Sequence, residues 1–123
     1  MIFVINLRLD IYIFASVNDA IMVDMKFDKL SPEELEKAAN MLKAIAHPMR
    51  IAILNYLDNG KKLTVTEIHE LLKIEQSTTS HHLGILKDKG VLASKREGKN
   101  TYYFLKHKDL IHIVDCVSQC ACL

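Results

Sequence analysis

All three cysteines of this 123-residue chain lie within its last eight residues, at Cys116, Cys120 and Cys122. If this end of the chain is helical, His112, Cys116 and Cys120 recur every four residues and fall on one face. Asp109, three residues before His112, adds a carboxylate to that face. Imidazole and thiolate ligands together suit zinc or another thiophilic ion. Asp109, His112, Cys116 and Cys120 are therefore a predicted metal site, and such an ion is the candidate cofactor.

Two other interpretations of the cysteines remain open. In thiol-based sensing, Cys116 and Cys120 would be about 6 Å apart at Cβ on one helix, beyond the ~3.8 Å mean of a disulfide. A bridge would then need Cys120 and Cys122 at a frayed helix end, or two chains. In the other interpretation, the thiols simply pack as small apolar groups in an interface. An odd number of cysteines at one end is no framework for a secreted domain, which favours a reducing cytoplasm.

The second group of chemically active side chains begins at "QSTTSHH", residues 76–82. Hydroxyl, amide and imidazole groups of this kind approach base edges and phosphates closely. Capping of a helix by Ser77 or Gln76 is a simpler interpretation, but it leaves most of the polar run unexplained. A basic stretch near residues 95–99 follows. The predicted DNA contacts are Gln76, Ser77, Thr78, Ser80, His81, Lys95, Arg96 and Lys99.

Charge is distributed unevenly, although the net charge is only +1. Residues 1–72 hold eight Lys/Arg against ten Asp/Glu, whereas residues 73–108 hold eight against three, a local net of +5. Such asymmetry is typical of a phosphate-binding surface. No stretch of about 18 uninterrupted apolar residues predicts a membrane span.

Four helices are predicted before residue 90. Ser31 and Glu34 form a capping box at the start of the first, and Pro48 starts the second. Thr64 and Glu67 form another capping box at the start of the third. Only Lys73-Ile74-Glu75 separate the third helix from the fourth, which runs from about Gln76 to Lys89.

After Gly90 the apolar period changes from helical to two-fold. The segment "VLASKREGKNTYYFL" predicts two strands around a turn at residues 97–100, and a last helix follows over about 108–122. The order α-α-α-α-β-β-α, mainly α with a β-hairpin wing, is that of a winged helix-turn-helix. Residues 1–24 are an N-terminal extension or the product of a misassigned start, and residues 25–123 form the DNA-binding and dimerisation domain.

In the fourth helix, Thr79, Leu83 and Leu86 are predicted to face inward. Ser77, His81 and Gly84 lie on the opposite side. Glycine costs about 1 kcal/mol relative to alanine inside a helix. Close approach of the helix backbone to DNA or to a neighbouring helix would account for the glycine at position 84.

The stretches "LKAIAHPMRIAILNYL" and "QSTTSHHLGILKDKGVLASKREGKNTYYFL" resemble the ArsR/SmtB family of dimeric winged-helix repressors over roughly residues 30–122. The most specific elements are Ser77, Ser80, His82 and Leu83 and the Gly90-Val91-Leu92 exit into the wing. The resemblance implies cytoplasmic homodimers that pair through their first and last helices, bind operator DNA and leave it when an effector binds. It predicts that the apolar stripe Leu110, Ile111, Val114 and Val117 meets Leu35, Leu42 and Ile45 of a second chain.

The effector sites that the resemblance implies are incomplete here. Arsenic-sensing members have cysteines where this chain has Thr64-Val65-Thr66, and hydroxyls are poor ligands for soft metals. Zinc-sensing members have the ligand pattern Asp-x-His-x10-His-x2-Glu in the last helix, and this chain has His107, Asp109, Cys120 and Leu123 at those positions. The first two residue types are exchanged, the third is changed to Cys, and the fourth is no longer a metal ligand. No upstream cysteine exists for the thiol pair of other members.

The sequence thus predicts a DNA-binding transcriptional regulator, a repressor released by a metal ion or thiol-reactive signal. The alternative is a winged-helix protein-interaction module without a DNA role. No nucleophile–base pair, phosphate-binding glycine loop or paired carboxylates suggest an enzyme.

Overall fold

The structure is a computed structural model that describes residues 30–122. In this range the elements are α1 (Pro32–Ile45), α2 (Pro48–Tyr56), β1 (Leu63–Thr64), α3 (Val65–Leu72), α4 (Gln76–Asp88), β2 (Leu92–Glu97), β3 (Asn100–Leu105) and α5 (Leu110–Ala121). The prediction for residues 1–24 lies outside the described residues. No helix of the described part is long and apolar enough to cross a membrane.

By its contacts the chain divides after Glu36, inside α1, into two units. In the described residues of the first unit, the Ser31 hydroxyl accepts a hydrogen bond from the Glu34 backbone N–H at 3.1 Å. This is one half of the predicted capping box.

Local signals start α2 and α3 where the sequence places them. The Nδ1 atom of His47 accepts a hydrogen bond from the Met49 N–H at 3.1 Å, and Pro48 occupies the first turn of α2. At α3, the Thr64 hydroxyl accepts from the Glu67 N–H at 3.2 Å, and the Glu67 carboxylate accepts from the Thr64 N–H at 3.4 Å. The predicted capping box at Thr64 is therefore confirmed in both halves.

The three strands form one antiparallel sheet in the order β1-β3-β2. Leu63 pairs with Tyr103, so the two-residue β1 ties the start of α3 to the middle of the hairpin. The sequence pattern predicts β2 and β3 but not β1, because two residues are too few to show a two-fold period. Gly98, with φ +65°, occupies the hairpin turn between Glu97 and Asn100.

The core is built from all the helices of this unit and the start of β2. Its fully buried side chains are Ile53, Leu54, Leu57, Ile68, Leu83, Leu86, Val91, Leu92 and Thr79. The helical spacing of Ile68, Leu71 and Leu72 predicts that all three face inward, but Leu71 is 44% exposed, so the prediction is wrong for Leu71. The α3 helix is only eight residues long and presents one narrow side, that of Ile68, to the core.

The predicted partner-facing stripe of α5 also needs correction. Leu110, Ile111 and Val114 are at most 8% exposed in the single chain, and so is Ile45 of α1. These side chains pack in the chain's own core and are not free to meet a partner. On α5, only Val117 of the predicted stripe is exposed, and Ile113 joins it.

Candidate nucleic-acid interface

A tight turn sets the position of α4 relative to α3. Lys73 adopts a left-handed conformation with φ 58°, and its N–H donates to the His69 carbonyl. The Ile74 N–H donates to the same carbonyl at 3.3 Å. Both bonds end on the His69 carbonyl, and the chain reverses direction within three residues. The two helices are thereby joined as in a helix-turn-helix.

One side of α4 is fixed in the core. Thr79, Leu83 and Leu86 are fully buried, as predicted. The Thr79 hydroxyl donates to the Glu75 carbonyl at 3.1 Å, so its burial leaves no unpaired donor. The orientation of the opposite side of α4 follows from this anchoring.

The opposite side carries the predicted contact residues of α4. Gln76, Ser77, Thr78, Ser80 and His81 are all exposed. The N-cap residue is Glu75, without a side-chain capping bond, so capping by Ser77 or Gln76 is not what this helix uses. None of the five side chains hydrogen-bonds to another residue that the structure describes. Their polar groups face open space.

Gly84 lies on the same exposed side. A Cβ atom built at this position meets nothing within 4 Å, and its φ is not positive. Neither strain nor a neighbouring helix of the described chain therefore requires glycine there. The sequence suggested that glycine at position 84 allows close approach to DNA or to a neighbouring helix. Within residues 30–122 of one chain, no neighbouring helix comes close enough for the second explanation.

His82, next to the exposed His81, is buried at 7% exposure. Its ring lies 4.7 Å from that of His47, centroid to centroid. Burial lowers the pKa of His82 below its ordinary 6.5, and His47, Arg50 and His81 lower it further. The Nδ1 atom of His82 and the Nε atom of Arg50 are buried without a hydrogen-bond partner among the described residues. His82 is therefore a neutral core residue behind the exposed face.

The hairpin of β2 and β3 carries the remaining predicted contacts. Lys95, Arg96 and Lys99 are exposed. Lys95 and Arg96 are consecutive in β2, so their side chains leave the sheet on opposite faces. Lys95 lies 3.9 Å from the Glu97 carboxylate, an exposed pair of little energetic weight. Lys99 occupies the turn beside Gly98.

Only some of the predicted metal ligands on α5 lie close to one another. His112 and Asp109 approach at 3.8 Å, with both side chains largely exposed. Among residues 30–122 of one chain, no three His, Cys, Asp or Glu side chains are placed to hold a metal ion together. The thiols of Cys116 and Cys120 are free and exposed. A metal site on this helix stays a prediction.

These cysteines share the exposed side of α5 with two apolar residues. Ile113, Cys116, Val117 and Cys120 follow the three- and four-residue spacing that places side chains on one helical face. Ile113 is 39% exposed and Val117 is 56% exposed.

An exposed polar helix, anchored by its opposite side and followed by a basic hairpin, defines a winged helix-turn-helix DNA-binding protein. Residues 47–94 match the family model described as bacterial regulatory protein, arsR family. The transcriptional repressor PagR of Bacillus anthracis is 40% identical over 94 residues, which cover 76% of this chain and 91% of PagR. The chain belongs to the ArsR family of bacterial regulatory proteins.

Solved structures agree in fold. The crystal structure of PagR superposes with a TM-score of 0.64 at 39% identity, covering 71% of this chain and 99% of that one. The homodimeric winged helix-turn-helix DNA-binding domain of Mb0332 from Mycobacterium bovis gives 0.64 at 28% identity, covering 84% and 90%. HlyU from Vibrio cholerae gives 0.65 at 27% identity, covering 76% and 100%. The chain is thus a DNA-binding transcriptional regulator, and the prediction of a protein-interaction module without a DNA role is not supported.

Proposed function

We propose that this regulator is a homodimeric repressor that places α4 in the major groove of its operator and the β2–β3 hairpin on the flanking backbone. The observation that carries the proposal is the two-sided character of α4. One side is locked into the core by three fully buried residues, and the other presents only small or polar groups without intramolecular partners. A rigid, preorganised helix loses little conformational entropy on binding.

The side chains of α4 divide between phosphates and bases. Gln76, Ser77 and Thr78 lie in its first turn, where backbone N–H groups and hydroxyls suit phosphate oxygens. Ser80 and His81 lie one turn further along, where they read base edges. Gly84 follows on the same side and lets the helix backbone approach the DNA.

The hairpin supplies charge rather than sequence reading. Lys99 at the turn and Arg96 or Lys95 on the strand pair with phosphates beside the major-groove site. Because Lys95 and Arg96 leave the strand on opposite faces, they contact different phosphates or different grooves. The +5 segment occurs twice in a dimer, so affinity falls steeply as salt rises.

Dimerisation uses the apolar side chains that α1 and α5 leave exposed. Leu42 of α1 is 51% exposed, and Ile113 and Val117 of α5 form a pair one turn apart. A two-fold pair of α4 helices then meets half-sites about one helical turn apart, or a small multiple of that spacing.

Release from DNA by an effector completes the proposal. In the proposed dimer, Cys116 and Cys120 lie on the same helix face as Ile113 and Val117 and come close to the partner's copies. His112 and Asp109 extend this set toward the start of α5. Ligands from two chains would supply what one chain lacks, and zinc or another thiophilic ion is the fitting occupant. A reducing cytoplasm would keep the thiols available.

The test of DNA binding is fluorescence anisotropy with the protein's own upstream promoter and a scrambled duplex of equal length. We expect tighter, salt-dependent binding to the promoter. The Ser80→Ala/His81→Ala variant should lose this preference while remaining a dimer by analytical ultracentrifugation. The matched control is Thr66→Ala/Glu70→Ala, two exposed positions on α3. Wild-type protein that binds neither duplex at low salt would overturn the proposal.

The test of the effector is native mass spectrometry of anaerobically purified protein, with and without added zinc. A dimer that gains zinc and loses it in Cys116→Ser/Cys120→Ser supports the metal site. A metal-free dimer whose thiols are inert toward oxidant would exclude both metal and thiol sensing, while leaving DNA binding intact.

A further inference from the structure

A cavity of about 500 Å³ lies at the end of the sheet farther from the hairpin turn. Three segments form it: the loop after α2, the end of β3 and the start of α5. Pockets for small organic ligands span about 300–1,000 Å³, so the cavity has the size of a binding site. It includes none of the predicted DNA contacts.

The loop owes its course to two consecutive left-handed residues. Asn59 has φ 64° and Gly60 has φ 74°. The N–H of Asn59 donates to the Asp58 carboxylate at 2.7 Å, which holds the turn at the rim. Lys62 follows the turn and pairs with no carboxylate of the described residues; its ammonium group lies 5.2 Å from the centre of the Phe104 ring.

The lining combines an apolar wall with basic groups. Phe104, Leu105 and Ile111 provide the wall, and all three are at least partly buried. Lys62 and Lys108 bring two ammonium groups against the single carboxylate of Asp58. An aromatic face beside two cations suits a ligand with a planar apolar body and a negative charge.

We propose that this cavity binds a small aromatic carboxylate and that the ligand regulates DNA binding. The ring would pack against Phe104, and the Lys62 ammonium group would move off the face of that ring to pair with the carboxylate beside Lys108. His112, also at the cavity, offers a further imidazole donor. The regulatory part rests on the proposed function; the binding part does not.

The position of the cavity indicates that a bound ligand would lower the affinity for DNA. The cavity touches β3, which is one strand of the basic hairpin, and α5, whose exposed side we assign to dimerisation. A bound anion also lowers the positive charge of the protein, which weakens its attraction for DNA. By linkage, DNA must lower the affinity for the ligand by the same factor.

Isothermal titration calorimetry with 1-naphthoate tests binding, and neutral 1-naphthalenemethanol is the matched ligand. We expect one naphthoate per chain and affinity at least about tenfold lower for the alcohol, since a charge-assisted pair is lost. Lys62→Met/Lys108→Met, which keeps the apolar stems, should lower naphthoate affinity by a similar factor. Lys61→Met/Lys106→Met is the control, since both lysines are exposed neighbours that do not line the cavity.

Absence of binding at millimolar naphthoate would overturn the proposal. An equal loss in both lysine pairs would also overturn it, because it would indicate general attraction to a basic surface. If the Lys62/Lys108 variant does not fold, amide chemical shifts of the wild-type protein decide the matter. Shifts centred on Gly60, Leu105 and Ile111 support the site, and shifts confined elsewhere contradict it.

Promoter anisotropy with and without naphthoate tests regulation. We expect DNA affinity to fall by roughly fivefold or more, the lower end of typical coupling between sites. Naphthoate that binds without changing DNA affinity would leave a ligand site but remove its regulatory role. Protein that binds no promoter at all would refute the proposed function, while the calorimetry still decides the cavity.

Discussion

The ring of His82 in α4 lies 4.7 Å from the ring of His47, which caps α2. The α4 helix is therefore packed directly against the junction of α1 and α2. Arg50, in the first turn of α2, adds a positive charge near the same ring. Burial and the nearby Arg50 charge favour the neutral form of His82, whose pKa is lowered.

This packing predicts acid sensitivity of the fold. The unfolded chain binds a proton at His82 near pH 6.5, whereas the folded chain resists protonation because the pKa of His82 is lowered. Below pH 6.5 the unfolded state therefore binds more protons, and stability falls as pH falls toward the folded-state pKa. Above pH 6.5 this contribution is constant.

Urea unfolding between pH 5 and pH 8 measures the effect. The slope with pH should shrink in His82→Gln and persist in His107→Gln, a control at an exposed histidine. A His82→Gln protein with the wild-type slope would show that other groups carry the acid sensitivity.

Much of this fold could be predicted from local signals. Ser31, Pro48 and Thr64 act within one helical turn, so their consequences are visible in sequence, whereas the cap that His47 supplies to α2 was not predicted. Thr79, Leu83 and Leu86 could be placed inside because their spacing matches the helical period. The predicted exposed set on α4 followed from the same period.

The features that were predicted wrongly or not predicted at all depend on contacts between segments that are distant in the sequence. The pairing of Leu63 with Tyr103 leaves no periodic trace. Ile45, Leu110 and Ile111 were expected at a chain–chain interface, because the size of the core that receives them could not be judged from sequence. The cavity was missed for the same reason: Lys62 and Phe104 are 42 positions apart in the chain.

Replacing Gly84 by alanine should change stability and DNA binding in opposite directions. The added methyl group meets nothing in the described chain, and helix propensity then raises the free energy of unfolding by about 1 kcal/mol. If DNA occupies that space, promoter affinity falls by about tenfold or more, as for other overpacked contacts.

Chemical denaturation and promoter anisotropy on the same preparation give both values. Glu70→Ala, at an exposed position of α3, is the control and should leave DNA affinity unchanged. A Gly84→Ala protein that is more stable and binds equally well would place this part of α4 away from the DNA.

Loss of the capping box should weaken the fold without altering the DNA-contacting surface. Thr64→Ala removes the hydroxyl that accepts from the Glu67 N–H, which costs about 1 kcal/mol. Urea unfolding measures the loss, and Thr66→Ala on the exposed side of the same helix should cost much less. Promoter affinity at a temperature well below unfolding should match the wild type; a marked decrease would show that α3 itself contacts DNA.

Salt dependence should report the contribution of the hairpin. Lys99→Ala removes one proposed phosphate contact per chain, or two per dimer, and the slope of log affinity against log salt should become shallower by about 1.8. Lys61→Ala, an exposed lysine outside α4 and the hairpin, should leave the slope unchanged. Anisotropy titrations between 50 and about 200 mM salt cover the range in which such slopes are measured. Equal slopes for wild type and Lys99→Ala would remove this residue from the interface.

Self-association should depend on the exposed side of α5. Val117 is 56% exposed and lies one turn after Ile113, in the surface that we assign to dimerisation. A two-fold interface brings the same surface of both chains together, so a carboxylate at position 117 would face its own copy and repel it. We expect Val117→Glu to be monomeric at concentrations where the wild type is dimeric, measured by analytical ultracentrifugation. The control is Leu71→Glu, which changes another exposed apolar residue, 44% exposed, on α3. Promoter affinity should fall strongly for Val117→Glu, because two half-sites are no longer bound together. If Val117→Glu remains a dimer while Leu71→Glu dissociates, the pairing surface lies on α3 and the assignment to α5 is wrong.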